Sequence, residues 1–482
     1  MVVRDVTDGV PSAVRFLPIL LANLIPLVGV LAYGWEASTV VVIYALEVIL
    51  ALPLAAAKAL FAGRPPRIEE LEDDESGGDS SVIDVANLDL ARKRGSVRLV
   101  SWLPPVYPRN LPFVGSIFFV TVWVVLFVVA ALAELAVGEA LARPEVWLGV
   151  TGLVVGQGVE TWRDYVRDGR YETTSPYAVV ETPARQAFFL LFVLIAVAET
   201  TGVIVLGAFV AVKLLVDWSA FRATSGDGGR LSGWFTGPDD DGEVPDPPPV
   251  PDGDPDTTFE THAPTVVLTG ALHTLVKPAP FYALIVLLAW VVTLGVVGGN
   301  DGVGLALTAV STVGAVLAFV GFLAVKTAEH VLEYGLLEYR RYDDRLVAYD
   351  TWVETAQWNV PLAEIRDATL VTDRLPDRVF GTRTFKAQTG WGGSKTRREL
   401  GPVRDADAFV GAIDLPVRTT ELGPIDRRTG VLVAAAAPVG VVVAVAVGPW
   451  PPVLTALYIG FGLAFVVPIL CEAWKRAYPD PH

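Results

Sequence analysis

The side chains best placed to do chemistry are charged residues set inside apolar runs. Glu47 lies near the middle of the apolar stretch 37–61. A carboxylate at membrane depth is costly to desolvate, so it marks either a proton or cation ligand facing a bundle interior or a hydrogen-bonded group that pins helices together. Lys213 and Asp217, in the apolar stretch 202–218, are four residues apart and share one helical face, so they can pair. Glu160 stands beside Arg163, Asp164 and Tyr165 as a polar cluster at the end of the run 146–159. Glu134 and Glu199 lie near run ends, where they are expected at the membrane interface. The four His residues, His262, His273, His330 and His482, share no metal-type spacing. Glu329, His330 and Glu333 lack the second His that a zinc site on one helix needs. Cys471 is the only Cys, which excludes an internal disulfide and a Cys-based metal centre. There is no GxSxG elbow, no Gly-rich phosphate loop and no kinase-like set. No catalytic set, metal site or cofactor is expected, and the chain does not read as an enzyme.

A second group is basic. Arg374, Arg378, Arg383, Lys386, Lys395, Arg397 and Arg398 cluster within residues 374–398 of an otherwise acidic chain. Held at a membrane surface, they could meet anionic headgroups or a protein partner. High salt would screen that attraction, and ion pairing with Asp373, Asp377 and Glu399 is the competing account.

The elements that must carry these residues are membrane-length. The 482 residues are 52% hydrophobic, with a mean hydropathy of +0.48. The apolar residues gather in runs of roughly 18 or more, enough to cross a bilayer core as helices. The fold class is a polytopic α-helical membrane protein of about ten spans, with a cytoplasmic antiparallel β domain between spans eight and nine. The spans fall at 16–33, 37–61, 111–137, 146–159, 186–198, 202–218, 280–297, 303–325, 430–447 and 452–471. The first has no cleavage-site pattern after it and is read as uncleaved. Trp147 and Trp162 flank the fourth as interfacial anchors, and Gly152 and Gly156 form a small-residue pair that permits close packing.

Organisation follows. Residues 1–222 form a six-span domain with an acidic, Ser/Gly-rich loop near 68–82 that cannot bury a core and is expected to be disordered. Residues 223–262, with Asp239–Asp241 and Pro247–Pro249, read as an extended, disordered linker. A two-span hairpin occupies 263–333, the β domain 334–415, and a closing two-span hairpin 428–482. Turns after odd-numbered spans carry no Lys and only Arg143 among the Arg, whereas connections after even-numbered spans carry several basic residues. The positive-inside rule then puts both termini, the linker and the β domain in the cytoplasm of a multi-pass cell-membrane protein.

The net charge is −16, and only eight of the 37 basic residues are Lys. This balance points to adaptation to high salt, where dense surface carboxylates oppose association. It also disfavours nucleic-acid binding, which needs a large basic surface.

Two resemblances add to this. The motifs LLANLIPLVGVLAYG (20–34), YALE (44–47), WRDYVRDGRYETTSP (162–176) and KLLVD (213–217) resemble a membrane family known as domain of unknown function 6498, which implies no activity. Where that family has an aromatic after the Tyr, this chain has Ala45. The stretch 334–413 is similar to bacterial pleckstrin-homology-like domains that follow a pair of membrane helices. It offers YRRYDDRLVAY (339–349) as strand, Asp-Asp turn, strand; PLAEIRD (361–367) as a corner; a strand at 383–388; and a closing helix at 405–413. Alternation with Asp-Asp and Gly-Gly turns independently reads as hairpins. The resulting expectation is a non-enzymatic membrane protein whose cytoplasmic module meets a protein partner or the bilayer. The alternative is a transporter or channel with Glu47, and Glu160 beside it, lining a path.

Overall fold

A computed structural model describes residues 20, 24, 28–65, 87–131, 137–198, 203–224, 247–297, 302–390 and 396–423. The spans read at 430–447 and 452–471, most of the first span, the loop 68–82, most of the linker and Lys395 lie outside these residues.

The helical part is built from α1 (Ala37–Ala59), α2 (Leu111–Ala131), α3 (Pro144–Glu160), α4 (Pro176–Ala198), α5 (Val203–Thr224), α6 (Ala263–Val276), α7 (Ala279–Val297) and α8 (Gly302–Tyr334). The first of these is central. Its Val40, Ile43, Tyr44 and Leu52 are buried among Ile117 and Val124 of α2, Val146 and Val150 of α3, and Val180 and Ala184 of α4. Its last carbonyls do not stay orphaned, as helix ends otherwise leave them. Asn110 Nδ2 donates to the carbonyls of Ala59 and Ala62, both at 2.8 Å. Arg109 donates to Gly63, and the Tyr165 hydroxyl to Lys58 at 2.8 Å. A second core joins α2, α7 and α8, where the Tyr282 and Phe322 rings stack 3.8 Å apart.

Three described helical stretches are long and apolar enough to cross a membrane: Thr39–Ala59, Pro108–Ala130 and Gly304–Tyr334. A fourth results if Ala263–Val276 and Phe281–Val296, bent by 56°, count as one span. The reading of ten is finer than these helices bear. Three boundaries also differ. The helix read from residue 186 begins at Pro176, because Glu181 and Arg185, which interrupt the apolar run, pair at i,i+4 on the helix itself. The last turns of α8 run past residue 325, where Lys326 and Glu329 pair at i,i+3. Residues 263–276 form a helix before the bend, whereas only one span was read there.

The β part has a four-stranded antiparallel sheet, β1 (Thr257–Glu260), β2 (Leu337–Tyr342), β3 (Arg345–Asp350) and β4 (Thr355–Pro361), in that order. A three-stranded antiparallel sheet holds β5 (Ile365–Leu370), β6 (Arg383–Thr389) and β7 (Thr396–Val403). A short helix, α9 (Leu375–Phe380), joins β5 to β6, and α10 (Ala406–Ile413) closes the domain. The Asp343–Asp344 turn between β2 and β3 lies where alternation placed it, with Asp343 at φ 41°. Asp405 caps α10 by accepting from the Ala408 amide at 3.1 Å.

Phe409 of α10 centres the β core, 5.5 Å from the Tyr339 ring and 5.2 Å from Phe259, centroid to centroid. Phe259 belongs to β1, which pairs with β2 from Thr257↔Arg341 to Glu260↔Glu338. The β domain therefore starts inside the segment read as linker. Backbone pairing and one half-buried aromatic outweigh the Pro/Asp-rich composition there.

Candidate functional site

Among the described residues, charged side chains gather at two buried places. The first is inside the helical bundle. Lys213 of α5 is 1% exposed and reaches across to α1. Its Nζ lies 3.2 Å from Glu47 Oε1 and 2.8 Å from Asp217 Oδ2. It also stands 5.1 Å from the centre of the Tyr44 ring, a cation–π position. The sequence pattern placed Lys213 and Asp217 on one face; the structure adds Glu47 to them. Two carboxylates and one ammonium carry a net charge of −1. Glu47 Oε2 is buried without a hydrogen bond, and its side chain keeps 15% exposure. The cluster ties α5 to α1. Glu160 ends α3, and its side chain lies outside the described residues. Gly152 and Gly156 of α3 face open space rather than a packed helix.

The second place was not legible in the sequence. The segment after a short helix at Leu88–Ala91 docks on the β domain. Lys93 forms a fully buried ion pair with Asp350 at the end of β3 and donates to the Leu332 carbonyl of α8. Asp350 Oδ1 meanwhile accepts from the amides of Trp352 and Val353 at 2.8 and 3.1 Å. Burial pulls the Lys93 ammonium below its ordinary pKa, and Asp350 opposes that pull. The Arg94 amide donates to Gln357 Oε1 at 2.9 Å, and its guanidinium to the Gln357 carbonyl at 2.8 Å. Gln357 Nε2 returns a bond to the Arg94 carbonyl at 3.1 Å. Asn87 donates to Glu333 at 3.0 Å. Gly95, at φ 98°, passes so close that a Cβ there would lie 2.6 Å from Val353 Cβ. This clasp joins residues of the two halves. The basic residues of that loop were read only as a positive-inside signal, which says nothing of a docking contact.

Most of the described members of the basic cluster read at 374–398 have partners close by. Arg374 makes a two-pronged pair with Glu399, at 2.5 and 2.7 Å. Arg378 donates to the Gly423 carbonyl at 2.8 Å, and Arg383 to that of Thr420 at 2.7 Å. Arg398 lies over the Trp358 ring at 4.8 Å and donates to Thr389 at 3.2 Å. Lys386 and Arg397 are exposed. Most of the described members therefore hold the domain together, because each has a carbonyl, carboxylate or ring within reach.

Among the described residues, no group of three His, Cys, Asp or Glu side chains could hold a metal ion. The His273 and His330 rings lie parallel, 6.3 Å apart, between α6 and α8. A Cβ on Gly270 would come within 2.9 Å of His330, so that glycine permits the close packing of these helices.

Residues 10–228 match the model of a family of unknown function, DUF6498. The match covers α1 to α5 and the Lys93–Arg94 side of the clasp, and ends before the β domain. No curated protein and no solved structure matches the chain.

Proposed function

We propose that this chain is a non-enzymatic, multi-pass protein of the cell membrane that holds a cytoplasmic, pleckstrin-homology-like module in a set pose for a protein partner at the membrane face. The clasp carries the reading. A module bound to its membrane anchor only through flexible linkers would not need a buried ion pair and paired Arg94–Gln357 bonds to the other half. Two antiparallel sheets closed by a helix are compatible with the module's resemblance. The charge asymmetry of the loops supports placing both termini and the module in the cytoplasm. The length of α8 supports this too. Its 33 residues extend about 50 Å, more than the roughly 30 Å of a bilayer core, so its last turns reach beyond the hydrocarbon to the module.

The test is to delete residues 337–413 and compare the proteins that co-purify with the full chain and the deletion from the same membranes. Loss of specific partners is expected, and an unchanged set refutes the reading. A second reading, transport along a path at Glu47, is favoured by one observation: the buried Glu47 Oε2 without a hydrogen bond. Proton flux into vesicles that is abolished by Glu47→Gln, in protein that still folds, would support it. Absence of flux in the unaltered protein would discard it for protons.

A further inference from the structure

The clasp segment continues into a small projecting hairpin. Val97 and Val106 pair through both backbone bonds, at 2.9 and 2.8 Å, and the chain between them turns on a bond from the Leu103 amide to the Val100 carbonyl. Its tip exposes apolar side chains. Leu99 and Trp102 are each 63% exposed, and Val100 is exposed beside them. Such residues on a loop tip would favour leaving water, at about 25 cal/mol per Å² of apolar surface.

What covers them can be read from their surroundings. The Trp102 ring lies 5.7 Å from that of Trp162, itself exposed in the π-helical turn Thr161–Arg167 that continues α3. Along α3, Leu148, Val155 and Val159 are exposed, and with Trp162 they fall at spacings of seven, four and three, one stripe of a helix. The stripe is apolar along its length and ends in an indole pair. Trp at the end of an apolar helix stripe is the signature of a membrane–water interface. Arg98, Arg163 and Arg167 are exposed and lie within five residues of these indoles in the chain, at headgroup level if the stripe faces lipid.

We infer that the hairpin tip at 98–105 inserts Leu99 and Trp102 into the interfacial layer of the bilayer, beside Trp162, with Arg98 and Arg163 toward anionic headgroups. The inference rests on the membrane reading above and adds a lipid contact to it. The same short segment thus grips the module through Lys93 and Arg94 and the lipid through Leu99 and Trp102, with Gly95 between them. Contact made by apolar side chains survives salt that would screen a basic face.

The experiment uses the full chain with Cys471→Ser, reconstituted in phosphatidylglycerol/phosphatidylcholine vesicles. A spin label is placed at Ser101→Cys in the tip or at Leu317→Cys on the exposed face of α8. Collisions with oxygen, which concentrates in lipid, are compared with collisions with a water-soluble nickel chelate. At Ser101, oxygen collisions should exceed nickel collisions. Adding Leu99→Ser and Trp102→Ser should reverse that order at Ser101 and leave Leu317 unchanged. Nickel dominance at Ser101 with oxygen dominance at Leu317 overturns the insertion and keeps the membrane reading. Nickel dominance at both sites overturns both. Exclusion of both probes from Ser101 overturns the insertion in favour of a protein contact, such as a second copy of the chain. No response to the two Ser substitutions overturns the assignment of Leu99 and Trp102 as the anchor.

Discussion

Lys93→Met is expected to open the clasp without unfolding either half. In the folded protein Asp350 is buried; its Oδ1 is satisfied by two backbone amides, while its Oδ2 faces the Lys93 ammonium. Removing one member of a buried ion pair leaves an uncompensated charge and costs about 3–5 kcal/mol. The Arg94 amide, bonded to Gln357, reports that loss directly through hydrogen exchange. At about 1.4 kcal/mol per factor of ten, exchange over residues 87–98 should accelerate by roughly a hundredfold to a few thousandfold. Asp350→Asn keeps the Oδ1 acceptor but strands the Lys93 ammonium, so it should act alike. The double variant strands no charge and should cost less than either single one, a coupling that a cycle of the four proteins measures. Acceleration below tenfold for Lys93→Met, or a double variant as costly as the two singles summed, would refute the claim that this pair holds the clasp.

Three further outcomes follow from the same geometry. Gly95→Ala puts a Cβ 2.6 Å from that of Val353 at a φ of 98°, so it should destabilise the clasp by at least about 1 kcal/mol and speed Arg94 exchange fivefold or more; unchanged exchange would contradict the close approach. In the bundle, Lys213→Met removes the buried ammonium that Glu47 and Asp217 both face and should cost about 3–5 kcal/mol in denaturant titration of the micellar protein. Glu47→Gln should cost only about 1 kcal/mol, because Asp217 still faces the ammonium at 2.8 Å; equal losses would show that the three do not act as argued. Burial raises the Asp377 carboxyl above its ordinary pKa of 3.8, and the Thr382 hydroxyl, 2.6 Å from it, only partly opposes this. Between its ordinary and its raised value the folded module holds a proton that the unfolded chain has released, so its stability should rise as pH falls through that raised value and level off below 3.8. Asp377→Asn should flatten this slope in thermal melts across the acidic range, and an unaltered slope would remove Asp377 as its source.

The hairpin of β2 and β3 was legible because alternation and the Asp343–Asp344 turn are local signals, whereas the closing helix was expected from the resemblance alone. The start of β1 was not, since its composition is that of a linker and only pairing with a strand about eighty residues later makes it one. The beginning of α4 was hidden for the opposite reason. Glu181 and Arg185 look like a loop in a hydropathy profile, yet on a helix they neutralise each other. For the basic cluster, residue type left headgroup contact and ion pairing both open. A guanidinium has five donors, and Arg374, Arg378, Arg383 and Arg398 find acceptors within the domain. For the intramembrane charges, spacing brought out the Lys213–Asp217 pair, but nothing in the spacing tells that Glu47 completes it from another helix.

The clasp also sets an order of events. Arg94 and Gln357 are 263 residues apart in the chain. At about 5–20 residues per second, a ribosome needs roughly 13–53 s to travel from one to the other. Through that interval Lys93 and Arg94 have been made and the partners that will bury them have not. The clasp therefore closes late in synthesis, only once β3 and β4 have formed.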